Sequence, residues 1–301
     1  MSVRVRIPAT SANLGAGFDA LGLALALHNE VVAEEAERTT VRIEGEGVGR
    51  LSTGDKNVVA RGVRLAHEAA GRPFIGVALT CINRIPTARG LGSSAAAWVG
   101  GLVAGNALLR RPLDRETLLG LAARAEGHPD NVAAALFGGL TVSCGTPAGA
   151  RAVALPVPDT LRWITLVPDI TSSTAEARAV LPASVPRADA VFNVQRVALL
   201  LAALQVGRTD VLGVALDDRL HQPHRRRLFP WMPEVVSAAR RAGALGCVLS
   251  GAGPSLLAVA NDDEQATVRI ARAMEEALRA ARLSGSARIL EVDAGGAVVM
   301  A

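Results

Sequence analysis

The stretch Pro86-Thr87-Ala88-Arg89-Gly90-Leu91-Gly92-Ser93-Ser94-Ala95-Ala96 has the residue types and spacing to hold an anion. Two glycines in three residues let the backbone bend sharply and approach a ligand closely, because neither carries a Cβ. Ser93 stands where a helix N-cap belongs, and the residues after it are apolar helix formers as far as residue 109. A glycine turn feeding a helix start aims unpaired N–H groups and the positive end of the helix dipole at one point, a geometry suited to phosphate. A helix that merely begins with Gly and Ser would read the same way. The P-loop is excluded, since it needs a Lys just before its Ser or Thr. Here Gly92 holds that place, and Lys56 is the only lysine in the chain. A phosphate bound here must be neutralised by backbone N–H groups, Arg and a metal.

Two further stretches are dense in polar groups. Glu126-Gly127-His128-Pro129-Asp130-Asn131 sets two carboxylates, an imidazole and a carboxamide between two apolar helical segments. A helix C-cap at Gly127 and a new N-cap at Asp130 account for most of it. They do not account for Glu126, whose charge is disfavoured at a helix C-terminus. Ala9 to Asp19, in turn, is a small polar loop carrying Asn13 and Asp19 between apolar segments. Such loops carry binding residues, and they also use Asn and Asp to satisfy a turn.

The elements that must position these residues can be sketched from pattern. Residues 3–7 alternate as a half-buried strand that Pro8 should end. Residues 31–34, 40–44 and 76–82 read as strands. A helix over 58–71 is capped by Asp55 or Asn57, and another over 115–125 follows Asp114. Residues 138–144 read as a strand, and the Pro/Gly-rich 145–158 marks a domain seam. Beyond it come a strand at 163–167, a capping box at Ser173 to Glu176, helices at 191–206, 210–220 and 233–242, and strand–glycine turn–strand at 247–259. A long amphipathic helix (263–282) and strands at 287–292 and 297–300 close the chain. Strands and helices mix without steady alternation, so the fold class is α+β.

Composition narrows the function. Half the residues are apolar and a fifth charged, ordinary for a soluble globular chain. Aromatics are 3% and Tyr is absent, which removes the stacking platforms that single-stranded nucleic acid needs. Net charge is only +4, and Arg225-Arg226-Arg227 is the one dense basic run. An anionic small molecule fits better than nucleic acid. Three scattered cysteines argue against a disulfide framework or a zinc site and for a reducing compartment. No leader pattern precedes the first strand, and the run 95–109 is too short to span a membrane. These features read as cytoplasmic. The histidines His28, His67, His221 and His224 read as structural, and Trp98, Trp163 and Trp231 as packing residues.

Taken together and in this order, Pro8 to Gly22, Pro86 to Ala97 and Ser250 to Ser255 closely resemble the GHMP family of small-molecule kinases. The forms Pro8-Ala9-Thr10-Ser11-Ala12-Asn13-Leu14-Gly15-Ala16-Gly17-Phe18-Asp19, Glu126-Gly127-His128-Pro129-Asp130-Asn131 and Thr174-Ala175-Glu176-Ala177-Arg178 resemble the branch that phosphorylates L-homoserine. The resemblance implies a two-domain architecture. An N-terminal ATP-binding domain like the second domain of ribosomal protein S5 would cover residues 1–155, and a ferredoxin-like C-terminal domain 156–301.

It also implies roles. Residues Pro86 to Ala96 would wrap the phosphates of ATP, with Asn57 near the nucleoside. Ser94 and Glu126 would bind Mg2+, a hard cation that takes a few oxygen ligands and keeps waters. Asp19 would meet the acceptor's ammonium, while Arg178 and Arg225 clamp its carboxylate with their planar forks. Arg226, next in sequence, is an alternative to Arg225. Asn13, His128, Asp130 and Asn131 would orient the acceptor, with Asp130 also a candidate base. Ser250 to Pro254 would support the other two loops. A mevalonate- or sugar-like alcohol acceptor, and a ligand-binding member without turnover, are the competing expectations. A homodimer is left open.

Overall fold

Val3, Val5 and Ile7 alternate with arginines and bury one face of a strand, β1 (Ser2–Ala12). In the computed structural model, which describes residues 2–147 and 149–300, β1 runs through Pro8 instead of ending there. Its register with β2 (Leu21–Glu35) shifts between Pro8 and Ala9. Such an irregularity accommodates a residue with no N–H to give the ladder. Thr10 and Ser11 are therefore strand residues, and the first polar loop contracts to 13–20.

The chain continues through β3 (Thr40–Gly45), α1 (Val58–Ala69), β4 (Val77–Asn83), α2 (Ser93–Ala107), α3 (Arg115–Glu126), α4 (Asp130–Phe137), β5 (Leu140–Thr146) and β6 (Gly149–Leu155). The stretch read as a seam is thus largely a strand pair, β5 with β6. Then follow β7 (Leu161–Pro168), α5 (Thr174–Ala179), α6 (Arg187–Val206), α7 (Leu212–Ala215), α8 (Gln222–Arg225), α9 (Met232–Arg241), β8 (Gly246–Leu249), β9 (Leu256–Asn261), α10 (Glu264–Ala280), β10 (Gly285–Leu290) and β11 (Val298–Met300). The helix expected over 210–220 stops at Ala215. Asp218 intervenes, accepting from the N–H groups of Leu220, His221 and Gln222, and so opens α8 instead.

The first sheet has the order β11-β1-β2-β4-β3, with β5 on β2 and β6 on β5. Its closing strand comes from the far end of the chain. The second sheet has the order β10-β7-β9-β8, all antiparallel, with α9 and α10 packed on it. A split βαβ of this order is the ferredoxin-like arrangement. Both cores are mainly aliphatic: Ile7, Leu23, Val99 and Leu102 in one, Ile164, Val235, Ile270 and Leu278 in the other. The three tryptophans are buried packing residues.

By length and composition alone α6 is apolar enough to cross a membrane. Within this fold its Leu200, Ala203 and Leu204 are buried. Its Asn193 donates to Ala16 O (3.1 Å) and to Asp218 Oδ1 (2.8 Å), tying the helix to the first loop.

Candidate active site

The glycine–serine loop is built between the two halves. Helix α2 begins at Ser93, and Gly92, not Ser93, is its N-cap. The reason is conformational. Gly92 is left-handed (φ 68°), and a Cβ there would lie 1.8 Å from Thr10 Oγ1. Ser93 moves to the first helical position. The first bond into the helix is Ala96 N to Gly92 O (2.8 Å), and no side chain caps the turn before it. A fifteen-residue helix therefore presents an uncapped N-terminus. The loop is held from both sides. Thr10 N donates to Leu91 O (3.1 Å), Ser250 Oγ to Gly90 O (2.6 Å) and Ser255 N to Arg89 O (3.2 Å). Ser250 Oγ in turn accepts from Ser11 Oγ (2.8 Å), so the third motif braces the other two. Thr87 Oγ1 accepts from Arg50 (3.4 Å), and Arg89 lies 3.6 Å from Asp169.

Asn57 caps α1. Its Oδ1 accepts from Val59 N (2.9 Å) and its Nδ2 donates to Ser52 O (2.7 Å). Most of its carboxamide is engaged within its own segment.

Glu126 ends α3, and Gly127 turns the chain in a left-handed cap (φ 95°). This brings Glu126 to α2, where Ser94 Oγ donates to its Oε2 (2.7 Å). Burial pushes the Glu126 carboxyl above its usual range, and the Asp130 charge adds to that, against the Ser94 hydrogen bond and His128. A carboxylate that burial disfavours, beside a hydroxyl oxygen, is a donor set that suits a hard cation, while the bare helix N-terminus next to it suits an anion. His128 Nδ1 donates to Asp130 Oδ1 (2.5 Å). Burial opposes the His128 charge, but the Asp130 hydrogen bond and the Asp130 and Glu126 charges prevail and raise its pKa. Asp130 is 2% exposed. Its Oδ1 also accepts from Asn131 N (2.6 Å), while Oδ2 has no hydrogen-bond donor among the described residues. Thr10 Oγ1 donates to Asn131 Oδ1 (2.8 Å), joining this cluster to β1 and Gly92.

The first loop supplies charge. Asp19, left-handed at φ 57°, accepts two hydrogen bonds from Arg178 of α5, from Nη1 (3.0 Å) and Nη2 (2.7 Å). The capping box at Ser173 and Glu176 forms with both halves present and sets α5. Arg225 is only 2% exposed. Burial, and then the Arg178 charge, lower its pKa to about 10, while Asp19, Asp218 and Asp130 resist. Both guanidinium carbons stand over the Phe18 ring, 5.6 Å away for Arg178 and 5.4 Å for Arg225. Arg226 is exposed and lines a separate groove with Asp217 and Arg240. Asn13 donates to Gly251 O (2.9 Å) and accepts from Asp19 N (3.1 Å), so it shapes the loop. Thr10 and Phe18 were not singled out from sequence. Phe18, one of five phenylalanines, was readable only as the large residue in a loop of small ones.

Comparison with known proteins identifies the family. The family description "GHMP kinases N terminal domain" matches residues 57–139, and "GHMP kinases C terminal" matches 200–280. The homoserine kinase of Moorella thermoacetica is 48% identical over 254 residues, covering 84% of this chain and 86% of that protein. The chain belongs to the GHMP kinase family. The homoserine kinase of Persephonella marina is 40% identical over 98% of this chain and 97% of its own length. A crystal structure of homoserine kinase from Cytophaga hutchinsonii superposes with a TM-score of 0.89 at 33% identity, covering 99% of this chain and 97% of that one. GHMP kinases are ATP-dependent, and the uncapped start of α2 with its glycine turn is a geometry suited to an anion.

Proposed function

We propose that this chain transfers the γ-phosphoryl group of ATP to the side-chain hydroxyl of L-homoserine, giving O-phospho-L-homoserine and ADP, a step of threonine biosynthesis. One observation carries the choice of acceptor. An acid–base pair of opposite charges, Asp19 with Arg178, stands beside the buried Arg225. That set matches a zwitterionic amino acid and offers little to a neutral sugar.

In this reading Asp19 takes the ammonium, and Arg178 and Arg225 take the carboxylate. Asn13 holds the loop, and His128, Asp130 and Asn131 orient the hydroxyl. Residues Pro86 to Ala96 hold the nucleotide phosphates through backbone N–H groups, with Asn57 at the edge of the nucleoside site. Ser94 Oγ and Glu126 would hold Mg2+, which neutralises phosphate charge when bound. Two protein oxygens suffice, since Mg2+ keeps waters and shares phosphates. The hydroxyl oxygen forms its bond to phosphorus as the bond to the ADP oxygen breaks. In this reading Asp130, whose Oδ2 has no donor among the described residues, accepts the hydroxyl proton. Phosphoryl transfer has a loose transition state, so positioning and charge neutralisation supply most of the acceleration.

Residues 1–155 form the ATP-binding domain in this proposal and 156–301 the second domain, apart from the closing strand β11, which pairs with β1 in the first sheet. The partner is a small molecule, in the cytoplasm, with neither nucleic acid nor membrane involved. Incubation with ATP, Mg2+ and L-homoserine, followed by phosphorus NMR, tests the reading. O-phosphohomoserine and ADP in equal amounts support it. Absence of ADP would favour a ligand-binding member without turnover.

A further inference from the structure

Arg225 is held by more than its helix. Its Nε donates to Ala177 O (3.1 Å), and its Nη1 donates to Gly251 O (2.9 Å) and to His221 Nδ1 (3.1 Å). Nη2 has no protein partner among the described residues. A buried guanidinium with one unpaired edge calls for an anion there.

The His221 contact settles a tautomer. Arg cannot accept a hydrogen bond, so His221 Nδ1 carries the lone pair and the proton sits on Nε2. That N–H donates to Gly15 O (2.9 Å) in the first loop. The ring is fully buried and stacks on Phe18, with centroids 5.2 Å apart and planes 22° apart. Burial pushes His221 down to about 4, with the Arg225 charge acting the same way and Asp218 opposing. It is neutral across the working range. Asp218, below its ordinary value despite burial, accepts from Asn193 and from the N–H groups that open α8. Asp218 thus sets the helix, and His221 sets the rotation of the guanidinium at the helix end.

We propose that His221 is a positioning residue: anchored at Gly15 and stacked on Phe18, it fixes Arg225 so that the unpaired Nη2 edge is presented to the carboxylate of the acceptor. It acts through Arg225 and touches neither nucleotide nor hydroxyl. The inference rests on the reading of Arg225 as a carboxylate contact.

The test compares His221→Phe, which keeps the ring and loses both hydrogen bonds, with His221→Asn, which restores an acceptor near the Nδ1 position. Two acceptors are used, L-homoserine and 3-aminopropanol, the same molecule without its carboxylate. His221→Phe should raise the homoserine KM about tenfold or more, the effect of losing a hydrogen bond to a charged group. Its kcat/KM for 3-aminopropanol and its ATP KM should stay within about twofold of wild type. His221→Asn should recover most of the homoserine KM. An unchanged homoserine KM, or equal losses with both acceptors, would overturn the proposal. Should His221→Phe not fold, His221→Gln, which reaches Gly15 without an acceptor at Nδ1, takes its place with the same expected split. Arg225→Ala separates the two readings. If it leaves the homoserine KM unchanged, the carboxylate assignment falls. If it raises that KM while His221→Phe does not, only the role of His221 falls.

Discussion

Arg178 faces Asp19 as a two-pronged pair, Nη1 to Oδ2 at 3.0 Å and Nη2 to Oδ1 at 2.7 Å, joining α5 to the first loop. The two side chains are 38% and 36% exposed. Pairs this exposed contribute about 0–1 kcal/mol to stability, so exchanging the partner for a ligand costs little. An amino acid bears the same two charges. Its ammonium can replace the guanidinium at Asp19 while its carboxylate replaces Asp19 at Arg178. The pair keeps both groups oriented without a substrate.

Arg178→Ala should therefore weaken the acceptor and spare the nucleotide. The homoserine KM should rise about tenfold or more, as for loss of a charge-assisted bidentate contact. The ATP KM and the melting temperature should barely move. Steady-state kinetics with each substrate varied, plus a thermal melt, check this. An equal rise in both KM values would remove Arg178 from the acceptor site.

Glu126→Gln keeps the shape of the side chain and removes its charge. If Glu126 and Ser94 hold the metal, the Mg2+ concentration for half-maximal rate should rise at least about tenfold, because even outer-shell changes at metal sites cost that much. Titration of activity with Mg2+ reads it out. A wild-type Mg2+ curve would take Glu126 out of the metal site.

Gly92→Ala would place a methyl group 1.8 Å from Thr10 Oγ1 in a left-handed conformation. The loop must shift, so nucleotide affinity by calorimetry should fall about tenfold or more, with a melting temperature lower by several degrees. Gly145→Ala, where a Cβ meets nothing within 4 Å, serves as the control and should be silent. Normal ATP affinity in Gly92→Ala would mean the phosphates lie elsewhere.

The C-terminal segment returns to the first sheet through Asp293. Its Oδ2 accepts from His28 Nε2 (2.6 Å), and its Oδ1 accepts from Gly295 N (2.9 Å) and Gly296 N (2.7 Å). Burial opposes ionisation, but His28 and the two backbone donors win and lower the pKa below 3.8. A depressed carboxyl pKa contributes stability above the unfolded value that is lost as pH falls through the folded value. Asp293→Ala should therefore cost about 2–4 kcal/mol in urea unfolding at pH 7. Its difference from wild type should shrink below about pH 4. A difference that stays constant down to pH 2 would contradict this.

Much of the site was legible because its signals are local. The capping box at Ser173 and Glu176, the cap at Asp114 and the misfit of Glu126 at a helix end all rest on residues within one turn. What stayed hidden depended on the far half of the chain. Gly92 rather than Ser93 caps α2 because Thr10, across the sheet, leaves no space for a Cβ. Pro8 ends β1 by propensity, but β2 tolerates it through a register shift. The family resemblance picks Arg225 and leaves Arg226 as the alternative. Packing, with one guanidinium buried behind Phe18 and the other exposed, separates them. His221 read as structural because its anchor, Gly15, lies 206 residues away in the first loop.

The most direct test of the proposed activity is a coupled ADP-release assay of the purified chain with ATP and Mg2+ over L-homoserine, mevalonate and galactose at matched concentrations. A site built to pair both charges of a zwitterion should favour homoserine in kcat/KM by a factor on the order of 10³ or more. Faster turnover of mevalonate or galactose would contradict the acceptor assigned to Asp19, Arg178 and Arg225.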